Sequence, residues 1–358
     1  SGRLPLKPQP GKVAVIGALA ADARSMIGSW KAQGREEDVV TVVEALRNRL
    51  GEEFVVYEPG VGTRDVADPA AIAKAVATAE AADVVILVTG EDYNMSGEAR
   101  SRSDIGLPSP QKVLAKAVLA TGKPVVTVLM TGRPLDISPL DSGDSSILLA
   151  WFPGVEAGPA ITNVLFGDAV PAGRLPASFP HRTGQVPYFI GHNPTGRPAD
   201  ADLSKDSARY MDIPITPAYA FGHGLSYATF EYGNLQLSSS TLAPGDSVSI
   251  GVDVTNTSGT NADEVVQLYT RDPVAQVARP QQELRGFARV RIDAGKTKHV
   301  TFTLRPEHFA YFAPYGRFET DAGRIDFGIG AGSDAIRLTG GFQVAGPVIA
   351  DGPAAAMA

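Results

Sequence analysis

Apolar residues along the first half of the chain fall into short continuous runs separated by stretches with helical spacing. Residues 12–17 (KVAVIG) form the first run, the pattern of a strand buried on both faces of a parallel sheet. Residues 36–50 follow, with Val39, Val40, Val43, Leu46 and Leu50 near the helical period. Residues 54–57 return to strand character, and 69–82 is an alanine-rich helix with Asp68 as N-cap and Pro69 at its first position. A strand at 84–88, a helix at 109–120, strands at 125–130 and 146–151 and a helix at 155–166 complete the series. The alternation predicts an α/β fold whose mostly parallel sheet is sandwiched by helices.

The pattern then changes twice. From 171 to 229 proline and glycine recur too often for helices or central strands. The aromatics of this stretch (Phe179, Tyr188, Phe189, Tyr210, Tyr219, Phe221, Tyr227) argue that it packs against something. From 230 to 345 the period is two: Val248, Ile250, Val252 and Val254 alternate with small or polar residues, as do Val300, Phe302 and Leu304. Pro244-Gly245, Ala294-Gly295 and the TSG of 257–259 punctuate these strands. Short alternating strands without a cysteine pair predict an all-β sandwich of the fibronectin type III or immunoglobulin-like kind. The expected organisation is therefore an α/β domain with its connector over 1–229, a sandwich over 230–345 and an unpatterned tail, poorly ordered unless docked, over 346–358.

Composition narrows the functional classes. A net charge of −7 and the lack of a basic stripe argue against a nucleic-acid partner and against an electrostatically held membrane surface. The chain has no cysteine, so disulfides, thiol catalysis and cysteine metal sites are excluded. No apolar run is long enough to span a bilayer. Ser1-Gly2-Arg3 carries neither an initiating Met nor a signal-peptide pattern, and the chain is expected to be the product of a cut or an excised piece rather than to begin at a translation start.

Candidate chemistry concentrates in residues 84–104, VVILVTGEDYNMSGEARSRSD, where a buried run ends and a charged loop begins. In an open α/β sheet, loops beyond the carboxyl ends of the strands form the usual ligand crevice. This one holds Glu91, Asp92, Glu98, Arg100, Arg102 and Asp104. A dinucleotide site is disfavoured, because residues 17–22 (GALAAD) lack the G-x-G-x-x-G glycines that let backbone approach a pyrophosphate. His181, His192, His223, His299 and His308 show no metal-ligand spacing, and no cofactor or metal is expected. No G-x-S-x-G elbow is present, which disfavours an esterase. Trp151 reads as core packing rather than a sugar platform, and residues 193–198 (NPTGRP) form a turn that either braces a neighbouring domain or lines the site.

Six segments in order, GEDYNMSGEARSRSDIGLPSPQ, GKPVVTVLMTGRPL, WFPGVEAG, FGDAVPAGRLPASFP, TGRP and FGHGLSY, resemble the C-terminal half of family 3 glycoside hydrolases, the β-glucosidases and β-xylosidases. The resemblance covers nearly the whole chain. It implies a barrel domain preceding this chain, then a six-stranded α/β sandwich, then a fibronectin-like domain. It also implies a retaining mechanism with an Asp nucleophile on the barrel and Glu98 as general acid/base. Retention requires two carboxyl groups about 5–5.5 Å apart, one attacking the anomeric carbon while the other protonates the departing oxygen. Such a Glu has to hold its proton at working pH, which desolvation or a neighbouring negative charge secures.

Glu91 is the rival carboxylate, placed at the strand end where capping or loop anchoring is the commoner role. Together with Asp92, Tyr93, Arg100 and Arg102 it is expected to bind substrate or shape the loop. Arg100 and Arg102 are expected to pair with Asp92, Asp104 or the partner domain. Gly97 stands where some relatives carry a larger polar residue, so that a substrate contact is absent and the loop is free to move.

The expected partners are a barrel-bearing polypeptide, nicked or separately encoded, and a β-linked oligosaccharide or aryl glycoside. Without the barrel the chain is expected to be inactive, since one member of a catalytic pair alone loses most of the rate. A periplasmic or secreted location follows from the resemblance only. A non-catalytic carbohydrate-binding or scaffolding module of the same fold is the alternative.

Overall fold

The computed structural model of the chain describes residues 3–141, 145–200, 202, 204–314 and 316–349. Two compact units divide it, Ser1–Ala169 with Pro180–Val186, and Val170–Phe179 with Pro187–Ala358. The connector, grouped by its sequence with the α/β stretch, is thus shared between the units. The reason is local pairing: Leu175 exchanges backbone hydrogen bonds with Gly222 and His223, and Phe179 bridges Tyr219.

In the first unit five strands, β1 (Val13–Ile16), β2 (Val55–Glu58), β3 (Val84–Gly90), β4 (Val125–Met130) and β5 (Ser146–Leu149), pair in the order β2-β1-β3-β4-β5. All four pairings are parallel. The resemblance implied six strands; the sheet has five among the described residues. β1, β3 and β4 are buried at every position, which explains their unbroken apolar text.

The connecting helices are α1 (Ala23–Ile27), α2 (Val42–Leu50), α3 (Pro69–Glu80), α4 (Ser109–Leu119) and α5 (Ala157–Phe166). The helix expected from residue 36 starts at Val42 instead. Thr41 and Glu44 form a capping box there, and Val39 and Thr41 stay extended ahead of it. Asp68 caps α3 through the Ala70 amide, with Pro69 in its first turn. Leu46 of α2 and Ile161 and Leu165 of α5 pack with Val13, Val15, Val88, Val126 and Val128 of the sheet.

The second unit is all-β in its larger part. Its strands are β6 (Phe230–Leu237), β7 (Thr241–Leu242), β8 (Val248–Asn256), β9 (Ala262–Arg271), β10 (Glu283–Ile292), β11 (Thr297–Leu304), β12 (Tyr311–Phe312), β13 (Phe318–Glu319), β14 (Gly323–Gly330) and β15 (Ile336–Val344). They form a β10-β9-β14-β15-β7 sheet, a β11-β8-β6 sheet and a small β12-β13 hairpin. Val248, Ile250, Val252 and Val254, the period-two set of β8, are fully buried against Val266, Leu268, Phe327 and Phe342. This is the predicted two-sheet sandwich. In the connector Phe179 is buried, whereas Phe189 and Tyr210 are exposed. Of the expected tail, Val348 and Ile349 dock on Thr320 and Glu319, and residues 350–358 lie outside the described residues.

Candidate active-site loop

The loop that follows β3 is launched by a backbone crossing. Gly90 has φ 133°, and a Cβ there would stand 1.8 Å from the Met130 carbonyl oxygen, so only glycine lets β3 lie against β4 at this point. The Gly90 amide donates to Gln111 Oε1 of α4 at 2.7 Å, which fixes the end of the strand.

Glu91 comes next and is wholly buried. Its Oε1 accepts from Arg102 Nη1 at 2.9 Å and lies 3.0 Å from Arg133 Nε, while its Oε2 accepts from the Thr131 hydroxyl at 2.9 Å. A carboxylate taken out of water is tolerable only when paired and hydrogen-bonded in this way. Both arginines also reach loop carbonyls: Arg102 Nη2 donates to Gly106 O at 2.8 Å, and Arg133 Nη2 donates to Met95 O at 2.5 Å and Arg100 O at 2.7 Å.

Asp92 is fastened from another direction. Arg64 grips it through two parallel bonds, Nε to Oδ2 at 3.0 Å and Nη2 to Oδ1 at 2.7 Å, and the Thr63 hydroxyl donates to Oδ2 at 2.5 Å. Burial pushes the carboxyl up, but bonds from Arg64, Thr63 and the Asn94 amide outweigh it and hold Asp92 below the usual carboxylate range. Its contribution to stability is therefore present above the unfolded-state value and is lost as pH falls through the lower folded value. Asp92→Asn should lower stability at pH 7 by about 1–2 kcal/mol, a figure reduced for the half-exposed Arg64. In urea titrations the gap between wild type and variant should hold constant from about pH 7 to 5 and narrow only below about pH 4. A gap that closes between pH 7 and 5 would contradict this assignment.

The rest of the loop leans on residues 24–30. The Tyr93 amide donates to Ser25 Oγ at 3.1 Å, and Arg24 lies 4.7 Å over the Tyr93 ring. The Ser29 hydroxyl lies against the carbonyls of both Tyr93 and Ser96. Gly97 has φ 126°, and a Cβ there would crowd Ser29 Cβ at 3.0 Å. Backbone geometry thus supplies a reason for glycine at this position, separate from any lost substrate contact.

From Gly97 the chain turns. The Arg100 amide donates to Gly97 O at 3.2 Å, and Ala99 sits at φ 56°, the left-handed region that a type II turn uses at its third residue. Glu98 occupies the tip of this turn, is exposed, and makes no hydrogen bond or ion pair among the described residues. Arg100 donates to Asn94 Oδ1 at 3.1 Å, and Asp104 lies 3.6 Å from Lys112. The expected pairing of Arg100 and Arg102 with Asp92 and Asp104 is thus corrected. Arg102 goes to Glu91 and Arg100 to the Asn94 side-chain amide, both within the loop, while Asp92 is taken by Arg64, 28 positions away.

Beside the turn a groove of about 500 Å³ is lined by Ser29, Trp30, Ser96, Gly97, Arg100, Ser101, Gly132, Arg133 and Phe152. Trp30, on the rim of this groove, is 72% exposed. Trp151 is half-buried at φ 54°. Trp30, Ser25, Ser29, Arg64 and Arg133 brace the loop or line the groove beside it, and period and spacing did not mark them. Arg133 alone carried a signal, within the TGRPL of a quoted segment. Among the described residues no cluster of three metal-ligating side chains occurs, and no helix is long and apolar enough to cross a membrane.

Known proteins resemble the chain along most of its length. Residues 1–227 match the glycosyl hydrolase family 3 C-terminal domain, and residues 264–333 match a fibronectin type III-like domain. A periplasmic β-glucosidase of Salmonella typhimurium is 37% identical over 95% of this chain and 47% of its own length. A β-xylosidase of Formosa agariphila is 36% identical over 91% of this chain and 45% of its own. The crystal structure of a Listeria innocua β-glucosidase in complex with isofagomine superposes with a TM-score of 0.91 at 34% identity, covering 97% of this chain and 48% of the other. The chain spans about half the length of these relatives. With a family domain matched over more than half its residues, the chain belongs to glycoside hydrolase family 3.

Proposed function

We propose that this chain is the C-terminal part of a retaining, exo-acting β-glycosidase of the β-glucosidase type, with Glu98 as its general acid/base. The observation that carries the reading is the contrast within one loop: Glu91 and Asp92 are tied down by arginines, while Glu98 stands exposed at the tip of a braced turn with no partner among the described residues. A general acid must reach the departing oxygen and later take a proton from water, so it needs a carboxyl that no arginine already holds. Glu98 alone among the three meets that requirement.

The second carboxylate comes from an N-terminal barrel carrying an Asp nucleophile, an assignment supported by relatives of about twice this length. The substrate is a β-linked oligosaccharide or aryl glycoside. Trp30 offers a face for its leaving group at the groove beside Glu98. Trp30→Ala should raise KM for aryl glycosides by about tenfold, the equivalent of ~1.4 kcal/mol, with a smaller change for alkyl glycosides. Equal KM values for variant and wild type would remove Trp30 from the site. A periplasmic or secreted location is proposed from the Salmonella relative.

The reading is tested by intact mass and denaturing gel analysis of the native protein, followed by an aryl β-glucoside assay. A barrel-sized segment, joined or co-purifying, together with hydrolysis that Glu98→Gln abolishes on poor leaving groups, supports it. A lone chain that binds glycans without hydrolysing them would favour a carbohydrate-binding module.

A further inference from the structure

Glu91 and its two arginines do nothing in the reaction just proposed, yet they are the most deeply engaged charges of the loop. Arg133 holds Met95 O and Arg100 O with one nitrogen, and these carbonyls flank the turn that carries Glu98. Its Nε is meanwhile held by Glu91. Arg102 repeats the arrangement at the far end of the loop, between Glu91 and Gly106 O. Glu91 is thus the shared counter-charge of two guanidinium groups that are themselves mostly buried, with side-chain exposures of 17% and 20%. Thr131 and the Gly132 amide complete its shell at 2.9 and 3.4 Å, leaving no free oxygen for a substrate.

We propose that Glu91 is a positioning residue for the acid/base, acting through Arg133 and Arg102; this rests on the assignment of Glu98. Without the carboxylate, two like charges face each other in a low-dielectric pocket, and relief comes by letting an arginine swing out. The carbonyls of Met95 and Arg100 then lose their donor, and the Glu98 turn loses its footing. The charge matters more than the shape. An amide at this position can still accept from the arginines through its oxygen and present its NH2 to the Thr131 hydroxyl, but it neutralises nothing.

Glu91→Gln, made in the polypeptide that carries this chain together with its barrel, should lower kcat on alkyl β-glycosides by about 10- to 100-fold. KM should move by less than about threefold, and the first-step rate on a dinitrophenyl glycoside, read as kcat/KM because its leaving group needs no proton, should stay within about twofold. A purely structural lesion would lower turnover of every substrate alike, so equal losses across leaving groups overturn the proposal, as does an unchanged alkyl rate. Hydrogen exchange on the same polypeptide supplies a readout independent of catalysis: amides of residues 94–100 should exchange faster in the variant while those of β3 do not.

Should Glu91→Gln fail to fold, Arg133→Lys decides. Lysine keeps the charge but has a single nitrogen, which cannot hold Glu91 and the two loop carbonyls together as Nε and Nη2 of Arg133 do, so the same dependence on leaving group is expected, and its absence overturns the proposal. Glu98→Ala run in parallel separates the two assignments. If it leaves alkyl glycoside turnover intact, the acid/base reading fails; if it fails to do so while Glu91→Gln and Arg133→Lys show no dependence on leaving group, only the positioning role is lost.

Discussion

Glu98→Ala, made in a polypeptide that joins this chain to the proposed barrel, should lower kcat/KM for alkyl β-glucosides by about 10²–10⁴-fold on the proposed acid/base reading. The same variant should keep most of its first-step rate on a dinitrophenyl glycoside, because that leaving group departs as a stable anion. With such a substrate the glycosyl-enzyme forms but water attacks it slowly, no base being present to take the proton. Added azide should then restore turnover. The anion attacks the anomeric carbon and displaces the nucleophilic carboxylate, giving a glycosyl azide of retained configuration without any proton transfer. The structural ground is the free, exposed carboxyl at the tip of the 97–100 turn. Glu91→Ala would also impair the enzyme, but azide should not rescue it selectively, since Glu98 remains. A Glu98 variant that loses alkyl and dinitrophenyl activity equally, with no azide product, would exclude the acid/base role.

Arg174→Met should destabilise the second unit by about 3–5 kcal/mol, the largest stability effect expected of any single change discussed for this chain. Arg174 Nη2 donates to Glu264 Oε1 at 2.7 Å, and the Tyr232 hydroxyl donates to the same oxygen at 3.2 Å. The Glu264 side chain is only 2% exposed. Removing the guanidinium strands a carboxylate in the sandwich interior with a single phenol for company. Burial, reinforced by the Glu264 charge, pushes Tyr232 far above the ordinary phenol range, so it stays a donor at any working pH. Arg174 also holds the Gly224 carbonyl, tying 170–179 to the FGHGLSY segment within the same unit. The double variant Arg174→Met, Glu264→Leu should recover much of the loss, because the cost lies in the unpaired charge rather than in the missing bond. Calorimetry of wild type, both single variants and the double variant measures this; losses that simply add would show that the two residues are not coupled.

How much of this was legible beforehand depends on the range of the interaction concerned. Strand and helix periods are local, so β1, β3, β4 and the sandwich strand β8 could be read from a handful of neighbouring residues. Even where the period misled, at 36–41, a local signal existed in Thr41 and Glu44, three residues apart. The proposal of Glu98 as acid/base also starts from local text, a contiguous segment that resembles the family. The partners of the loop were not. Glu91 meets Arg133 across 42 positions, Asp92 meets Arg64 across 28, and Tyr93 meets Ser25 across 68.

Within the loop's own text, Asp92, Asp104, Arg100 and Arg102 offered several plausible pairings of similar Coulomb energy, and nothing local chose among them. The choice came from the β2-β1-β3-β4-β5 order, which sets the carboxyl ends of β1 and β4 on either side of β3. Residues 24–30, beyond β1, and Thr131 to Arg133, beyond β4, are thereby brought to the loop from opposite sides. Chain text thus carried the element types and the two-part architecture, which rest on short-range periodicity and contiguous motifs. Which charges are neutralised, which carboxyl is left free and which tryptophan lies open beside it depend on long-range packing, because a charge is settled by whichever partner the fold brings within about 3 Å of it.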